Sequence, residues 1–433
     1  MIKNKKFGLS LSGGGYRAMV YHLGTLKKLK ELNLLDKVDV ISSNSGGSIT
    51  GATYALHLKD YNKFEKIILQ GAKRSVIKFM LTSLRVLIPL LLLFGILIRS
   101  IWLLYRGQDL YGLLGILSFV LLILFFQFRI FPLSDLNEKA YNRFFLSKAT
   151  LSDISTDVEL AINSTNLETG RLFVFNNTSM GDSKYTYDED LPEIKYRTSN
   201  FPIARAVAAS TAVPGVFTPV KIQKRFYKNL VDYQLVKPRL VDGGVYDNQG
   251  LHKLTQTSSK YGCYYILVSD AGNKMPFQNK YWNSFALLFR TSNVFMNRIK
   301  NLQMAHQLYR NGAYQEHEVA YQSLGWNFEE SIPEFISGLK KGYIKEHVWK
   351  SHNITAVDIQ TKKWGVIKNK LKTSINYSSI IKELQPDNKL KLARNVGTNL
   401  VPLNDNQINA LISHASIITE IQLKLYCPSF FVS

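Results

Sequence analysis

Two short apolar runs near the amino terminus, each followed by small residues and then by a helical pattern, indicate the fold of this chain. Residues 7–11 are typical of a strand, and residues 19–29 carry apolar side chains at helical spacing. Residues 38–41 form a second β-branched run, and residues 49–56 can continue as a helix. The repeated order of strand, turn and helix predicts adjacent parallel strands whose turns meet at one edge of a sheet.

The most hydrophobic part of the chain lies between residues 86 and 126. Residues 110–126 contain no charge, and a membrane-spanning helix needs roughly 17–25 such residues. Residues 86–105 form a weaker candidate, because Arg99 would have to extend to an interface. Three interpretations stay open: a hairpin that spans the membrane, one that lies in a single leaflet, and one that is buried in a large core.

The rest of the chain mixes strand and helix patterns. Strands are predicted at residues 158–163, 172–175 and 264–268, and a helix at residues 203–210. We expect four regions, which are a first catalytic part (1–72), the hydrophobic hairpin (73–132), a second catalytic part (133–280) and a mostly helical carboxy-terminal region (281–433).

The composition restricts the partners. The 433 residues carry a formal charge of +22, which favours an anionic partner, either nucleic acid or a membrane surface. No motif supports nucleic acid, so we expect an anionic membrane. Cys263 and Cys427 have neither disulfide-framework nor metal-ligand spacing, which fits a reduced compartment. Basic residues on both sides of the hairpin predict that both of its ends face the cytoplasm: Lys73, Arg74, Lys78, Arg85, Arg129, Lys139 and Arg143.

The turn after the second strand has the pattern of a nucleophile elbow, in which a serine is held at the apex between a strand and a helix. Ser45 is the apex candidate, and Gly46 and Gly47 would allow the tight turn. The alternative is an ordinary strand-to-helix loop. The glycine loop at residues 13–15 has three interpretations: a dinucleotide site, an oxyanion hole facing Ser45, and a plain turn. No acidic residue ends the second strand, which counts against the dinucleotide site.

A carboxylate also ends a strand further along. Asp242 follows the apolar residues 240–241 and precedes Gly243 and Gly244, so it is either a site residue at the sheet edge or a turn aspartate.

These segments together resemble the patatin-like phospholipases. The family patterns G-G-G-x-R, G-x-S-x-G, A-S-x-A-x-P-x-x-F-x-P and D-G-[GA] appear in order at residues 13–17, 43–47, 209–219 and 242–244. One position departs from the family patterns: Ser43 stands in place of the first glycine of G-x-S-x-G. The resemblance implies a three-layer α/β/α sandwich, here with an inserted transmembrane helical hairpin.

The resemblance also implies roles for individual residues. Ser45 would be the nucleophile and Asp242 the proton acceptor of a dyad, and the N–H groups of Gly13, Gly14 and Gly15 would bind the oxyanion. Arg17 would brace the loop or meet lipid phosphate. Gly47, Gly243 and Gly244 would support the turns, and no metal or cofactor is needed. A triad that uses His22 or His252 stays open.

We therefore expect a membrane-associated lipid acyl hydrolase of phospholipase A or lysophospholipase type at the cytoplasmic membrane, with phospholipid or lysophospholipid as substrate. The alternatives are an acyltransferase with the same dyad, a regulated membrane-damaging effector lipase, and a non-enzymatic membrane scaffold. Neither the head group, the acyl position, the regulation nor the oligomeric state follows from the sequence.

Overall fold

One mixed β-sheet of nine strands forms the centre of the structure. The computed structural model describes residues 5–187, 189, 192–256, 258–275, 277, 282–305, 317–382 and 387–431. The strands are β1 (Phe7–Leu11), β2 (Val38–Ser43), β3 (Glu159–Asn166), β4 (Arg171–Phe175), β5 (Met180–Asp182), β6 (Val220–Lys221), β7 (Arg239–Asp242), β8 (Tyr265–Asp270) and β9 (Glu318–Ser323).

The strand order brings the two predicted turns to one edge. It is β5-β4-β3-β2-β1-β8-β9, and β7 pairs with both β3 and β6. The five strands β3, β2, β1, β8 and β9 are parallel, while β4, β5, β6 and β7 pair in antiparallel fashion. Because the carboxyl ends of parallel strands meet at one edge, the glycine loop after β1 and the serine turn after β2 are neighbours.

Helices cover the sheet and form most of the carboxy-terminal region. They are α1 (Gly15–Glu31), α2 (Gly46–Leu56), α3 (Tyr61–Ala72), α4 (Val76–Leu81), α5 (Leu84–Tyr105), α6 (Asp109–Ile130), α7 (Leu133–Tyr141), α8 (Ser183–Tyr187), α9 (Ile203–Ser210), α10 (Asp232–Leu235), α11 (Gly244–Asp247), α12 (Leu251–Leu254), α13 (Ser284–Met304), α14 (Ser331–Lys340), α15 (Glu346–Ser351), α16 (Ala356–Gln360), α17 (Trp364–Ser374), α18 (Tyr377–Lys382), α19 (Asp387–Asn395) and α20 (Asp405–Tyr426).

Alternating strand residues pack into separate clusters on the two faces of the sheet. Leu9 and Ile41 belong to the larger cluster, which contains α1 and α2 residues such as Met19. Val40 and Ile266 belong to a smaller cluster that contains residues of α12. The period of two along each strand therefore buries both faces, which confirms the predicted three-layer α/β/α architecture.

The hydrophobic hairpin is α5 and α6, and it is not part of the core. Both helices are long and apolar enough to cross a membrane by length and composition, and only 17% and 0% of their apolar windows are buried. The helices pack closely, since a Cβ on Gly115 would lie 2.1 Å from the Ser100 Oγ. At the turn, Arg99 and Arg106 both lie over the Trp102 ring. This exposure contradicts the alternative of a hairpin buried in a large core.

The region after residue 281 is mostly helical, as predicted, but it also supplies β9 at the end of the sheet. Residues 306–316, 383–386 and 432–433 of that region lie outside the described residues. The division into four regions stays a prediction.

Candidate active site

Ser45 lies at the apex of a sharp strand-to-helix turn. Strand β2 ends at Ser43, α2 begins at Gly46, and Ser45 between them has φ 48° and ψ −120°. A positive φ is rare for a residue with a side chain and costs about 1–3 kcal/mol unless its surroundings impose it. The turn has the strained geometry expected of a nucleophile elbow.

Small residues are required around this serine because the backbones touch. A Cβ on Gly46 would lie 2.1 Å from the Gly15 carbonyl oxygen, and a Cβ on Gly47 would lie 2.4 Å from that of Leu11. Ser43, which departs from the family pattern, donates a hydrogen bond to the Ala161 carbonyl at 3.3 Å. It also accepts one from the Ser48 hydroxyl at 3.2 Å. A serine is therefore accommodated at this position without disturbing the elbow.

A residue far along the chain holds the elbow in place. The Ser45 N–H donates to the Ser210 Oγ at 2.9 Å, and the hydroxyls of Ser210 and Ser48 lie 2.9 Å apart. Ser210 is buried at the end of α9, within the A-S-x-A motif. The sequence alone indicates no role for Ser210, because its contact with Ser45 exists only in the folded chain.

Asp242 ends β7 beside Ser45. Its carboxylate accepts a hydrogen bond from the Gly244 N–H at 2.7 Å, and the Ser45 hydroxyl lies close enough to favour its ionised form. Burial raises the pKa of Asp242 to about 6, although the Gly244 N–H and the Ser45 hydroxyl favour the ionised form and oppose the shift. The structure thus brings together the hydroxyl and the carboxylate that the sequence predicted as partners.

The glycines after Asp242 are constrained in the same way as those after Ser45. A Cβ on Gly243 would lie 2.3 Å from the Asn44 Oδ1, and one on Gly244 would lie 2.6 Å from the Asn248 Oδ1. A side chain at either position would therefore require a rearrangement, and the supporting role of these glycines stays a prediction.

The glycine loop requires a correction to the predicted oxyanion hole. The Gly13 N–H already donates to the Asn248 carbonyl at 2.9 Å, so it is not available for an oxyanion. For the N–H groups of Gly14, Gly15 and Gly46, the described part of the chain offers no acceptor. Gly14 and Gly15 have φ 141° and 59°, a conformation that favours glycine. The available donors are therefore two of the three predicted glycines, together with Gly46.

Arg17 braces the glycine loop. Its side chain is buried, and its Nη1 donates to the Val396 carbonyl at 3.1 Å. The neighbouring Tyr16 N–H donates to the Asn399 carbonyl at 2.9 Å. These contacts join the loop to residues 396–399 and support the bracing alternative over contact with lipid phosphate.

The two histidines considered for a triad have other partners. His22 Nε2 donates to the Ser12 carbonyl at 2.9 Å, and its Nδ1 accepts from the Ser269 hydroxyl at 2.8 Å. Burial lowers the pKa of His22 to about 4, so the ring is neutral. His252 contacts Gln256 at 2.9 Å. Neither is placed against Ser45 or Asp242 in the described structure, which removes the support for a triad. Among the described residues, no three His, Cys, Asp or Glu side chains are arranged to hold a metal ion.

Comparisons with known proteins place this site in a family. A search of curated proteins found no match. Among solved structures, the crystal structure of VipD from Legionella pneumophila is similar at 14% identity, with 98% of this chain and 87% of that chain covered and a TM-score of 0.36. The family model of the patatin-like phospholipases matches residues 9–254, which is more than half of the chain and includes all the site residues described above. The chain therefore belongs to the patatin-like phospholipase family and is a lipid ester hydrolase.

Proposed function

We propose that this protein is a membrane-associated serine acyl hydrolase of phospholipase A or lysophospholipase type that acts through a Ser45–Asp242 dyad. The observation that carries the proposal is the position of Ser45, with its strained backbone, beside the buried Asp242 carboxylate, whose ionised form the Ser45 hydroxyl favours. A nucleophile within reach of a base, at a sheet edge lined with free N–H groups, is the arrangement that acyl transfer needs.

Asp242 serves as the general base in the first step. Its carboxylate takes the Ser45 proton while the serine oxygen attacks the ester carbonyl, and the same proton then passes to the leaving alcohol. In the second step water attacks the acyl-enzyme, Asp242 takes a proton from the water, and Ser45 regains a proton as the fatty acid leaves. A pKa of about 6 keeps Asp242 mostly ionised at neutral pH and makes it a stronger base than an exposed aspartate.

The tetrahedral intermediate has a negative oxygen that needs fixed donors. The N–H groups of Gly14, Gly15 and Gly46 belong to the amino-terminal ends of α1 and α2, where the first backbone donors of each helix are unpaired. The dipoles of both helices also favour negative charge at this place. Removal of one such donor in other enzymes lowers kcat by about 10²–10³.

Membrane association is supported by the hairpin and by the charge of the chain. Helices α5 and α6 expose large apolar side chains along their length, which water disfavours. The net charge of +22 adds attraction to an anionic leaflet, about 1 kcal/mol for each basic residue near the surface. We place the catalytic part on the cytoplasmic side, because basic residues flank both ends of the hairpin.

The dyad is tested by hydrolysis of phospholipid vesicles with the purified protein. We expect Ser45→Ala and Asp242→Ala to lower the rate by about 10³ or more, because nucleophile and base act as a unit. A fluorophosphonate probe should label the wild type and leave Ser45→Ala unlabelled. The controls Ser152→Ala and Asp36→Asn change exposed residues and should behave as wild type.

Two results would reject parts of this proposal. Full activity in Ser45→Ala would exclude the dyad. Capture of the acyl group by an added lipid alcohol in preference to water would identify an acyltransferase instead of a hydrolase.

A further inference from the structure

Helix α13 lies across the edge of the sheet that carries the dyad. The Phe289 ring lies 3.0 Å from the position of a Cβ on Gly215, and the Met296 methyl lies 3.2 Å from that of a Cβ on Gly244. Lys300 forms an ion pair of 2.5 Å with the buried Asp270 at the end of β8. The helix thus contacts the A-S-x-A-x-P loop, the turn after Asp242 and the end of a central strand.

The outer face of α13 is apolar, and none of the residues that the structure describes covers it. Leu288, Phe295 and Leu302 are 63%, 61% and 57% exposed, and their spacing of seven residues places them on one side of the helix. The helix carries Arg290 and Arg298, besides Lys300 that pairs with Asp270, and has no acidic residue. An apolar stripe with basic and no acidic residues is typical of helices that lie in the interface of an anionic lipid layer.

The position of α13 relative to the hairpin favours lipid as the occupant. Ser134, in the helix that follows the hairpin, donates hydrogen bonds to Thr218 through its N–H, at 3.4 Å, and through its hydroxyl. The same loop contains Gly215, which packs against Phe289, and exposes Val216. The helix at the base of the hairpin therefore contacts this loop, and this loop in turn contacts α13.

We infer that the outer face of α13, defined by Leu288, Phe295 and Leu302, docks on the lipid surface into which the hairpin inserts and borders the path of the lipid ester to the dyad. The inference rests on the proposed function for its substrate. It adds a second membrane contact, beside the dyad and separate from the hairpin. Docking through α13 would hold the catalytic edge of the sheet against the bilayer. The hairpin alone would leave the orientation of that edge unrestrained.

The first test places an environment-sensitive fluorophore on α13. Cys263 and Cys427 are buried and burial raises the pKa of both thiols, so an introduced exposed cysteine is labelled selectively. The label is attached at Phe295→Cys in a Ser45→Ala background, which prevents hydrolysis. The label at Leu117→Cys on α6 reports hairpin insertion, and the label at Val357→Cys, an exposed position on α16, is the matched control.

Vesicles of phosphatidylcholine and phosphatidylglycerol should shift the emission maximum of the label to shorter wavelength at residues 295 and 117. The emission intensity there should rise about twofold or more, and neither quantity should change at residue 357. A shift at residue 117 without one at residue 295 would overturn the inference. A shift at residue 295 that depends on protein concentration and not on vesicles would also overturn it, because it would identify a second copy as the occupant.

The second test uses the active enzyme with Leu288→Gln, Phe295→Gln and Leu302→Gln combined. The ratio of vesicle hydrolysis to hydrolysis of a monomeric short-chain ester should fall about tenfold or more, because fewer apolar side chains enter the lipid. An unchanged ratio would contradict docking through α13. A wild type that hydrolyses neither ester would reject the proposed function, whereas the fluorescence test would still decide the docking.

Discussion

Asp242 shows how a single residue is placed for reactivity at the expense of stability. Its carboxylate is buried at the end of β7, and the hydrogen bond from the Gly244 N–H, with the nearby Ser45 hydroxyl, offsets only part of the loss of hydration. The folded protein therefore holds the Asp242 proton more tightly than the unfolded chain does. In the proposed dyad, a carboxylate that the fold leaves reluctant to ionise would accept the Ser45 proton readily.

This placement predicts that Asp242→Asn stabilises the protein while it abolishes hydrolysis. The folded pKa of about 6 exceeds the ordinary value of 3.8, so protonation stabilises the fold below pH 3.8 and this contribution is lost as the pH rises through 6. At pH 7.5 the variant should unfold with a free energy about 3 kcal/mol above that of wild type, and the difference should disappear near pH 4. Chemical denaturation in detergent at both pH values measures it.

The control for this prediction is Asp182→Asn. Asp182 is also buried, but its carboxylate accepts hydrogen bonds from Asn166, Thr169 and the Lys184 N–H. Loss of these charge-assisted hydrogen bonds should lower the free energy of unfolding by about 1–3 kcal/mol. A destabilised Asp242→Asn variant at pH 7.5 would show that the fold does not penalise this charge.

Wild-type kcat/KM should rise with pH through about 6.

At the scale of elements, the contact between α1 and α20 supports the helix that follows the glycine loop. The two helices pack closely at Gly24, where a Cβ would lie 2.5 Å from the Ile412 carbonyl oxygen. One turn further along, Lys28 pairs with Glu31 at 2.7 Å and with Glu420 at 3.1 Å. Helix α20, from the far end of the chain, therefore fixes the position of α1 and with it the loop that carries Gly14 and Gly15.

We expect Gly24→Ala to separate these helices. The added methyl would press on backbone that has little freedom to move, and the free energy of unfolding should fall by about 1–3 kcal/mol. The matched control is Gly365→Ala in α17, where a Cβ meets nothing within 4 Å. That change should raise the free energy of unfolding by up to about 1 kcal/mol, because alanine favours helix. Equal effects of the two substitutions in thermal denaturation would contradict the tight contact.

The elements also show which features a sequence reveals. The Ser45 turn and the glycine loop could be predicted because contiguous small residues determine their conformation. Strand β9 could not, since its Glu318, Gln322 and Ser323 are polar and gain burial only from distant partners. The Gln322 amide, for example, donates to Thr25 at 2.7 Å and accepts from Thr419 at 2.6 Å. The engagement of the Gly13 N–H by Asn248 is likewise a long-range contact without a local signal.

At the scale of the whole molecule, the apolar hairpin is joined to the catalytic sheet of a strongly basic chain. The hairpin exposes apolar side chains, while the chain as a whole carries a large positive charge. Helix α7 links them, since Asn137 and Tyr141 hydrogen-bond to Thr211 beside the elbow support Ser210. The proposed anchor is thus connected to the candidate site through a short and buried path.

The proposed membrane topology predicts the location of the turn at Gly107. If the hairpin spans the bilayer, an epitope tag inserted there should be protected from protease added on the side of the catalytic part and cleaved from the opposite side. A tag at Gly342, at an exposed turn after α14, should show the reverse pattern. Cleavage of both tags from the same side would place the hairpin in one leaflet and exclude spanning.

The order of the parts along the chain has a consequence for biosynthesis. Ser45 precedes the hairpin, whereas β7, which carries Asp242, follows it. During translation Ser45 therefore emerges from the ribosome first, the hydrophobic hairpin second and Asp242 last. If the proposed function holds, a prematurely terminated polypeptide contains Ser45 without Asp242 and lacks the dyad, so hydrolysis begins only after the proposed anchor has been translated.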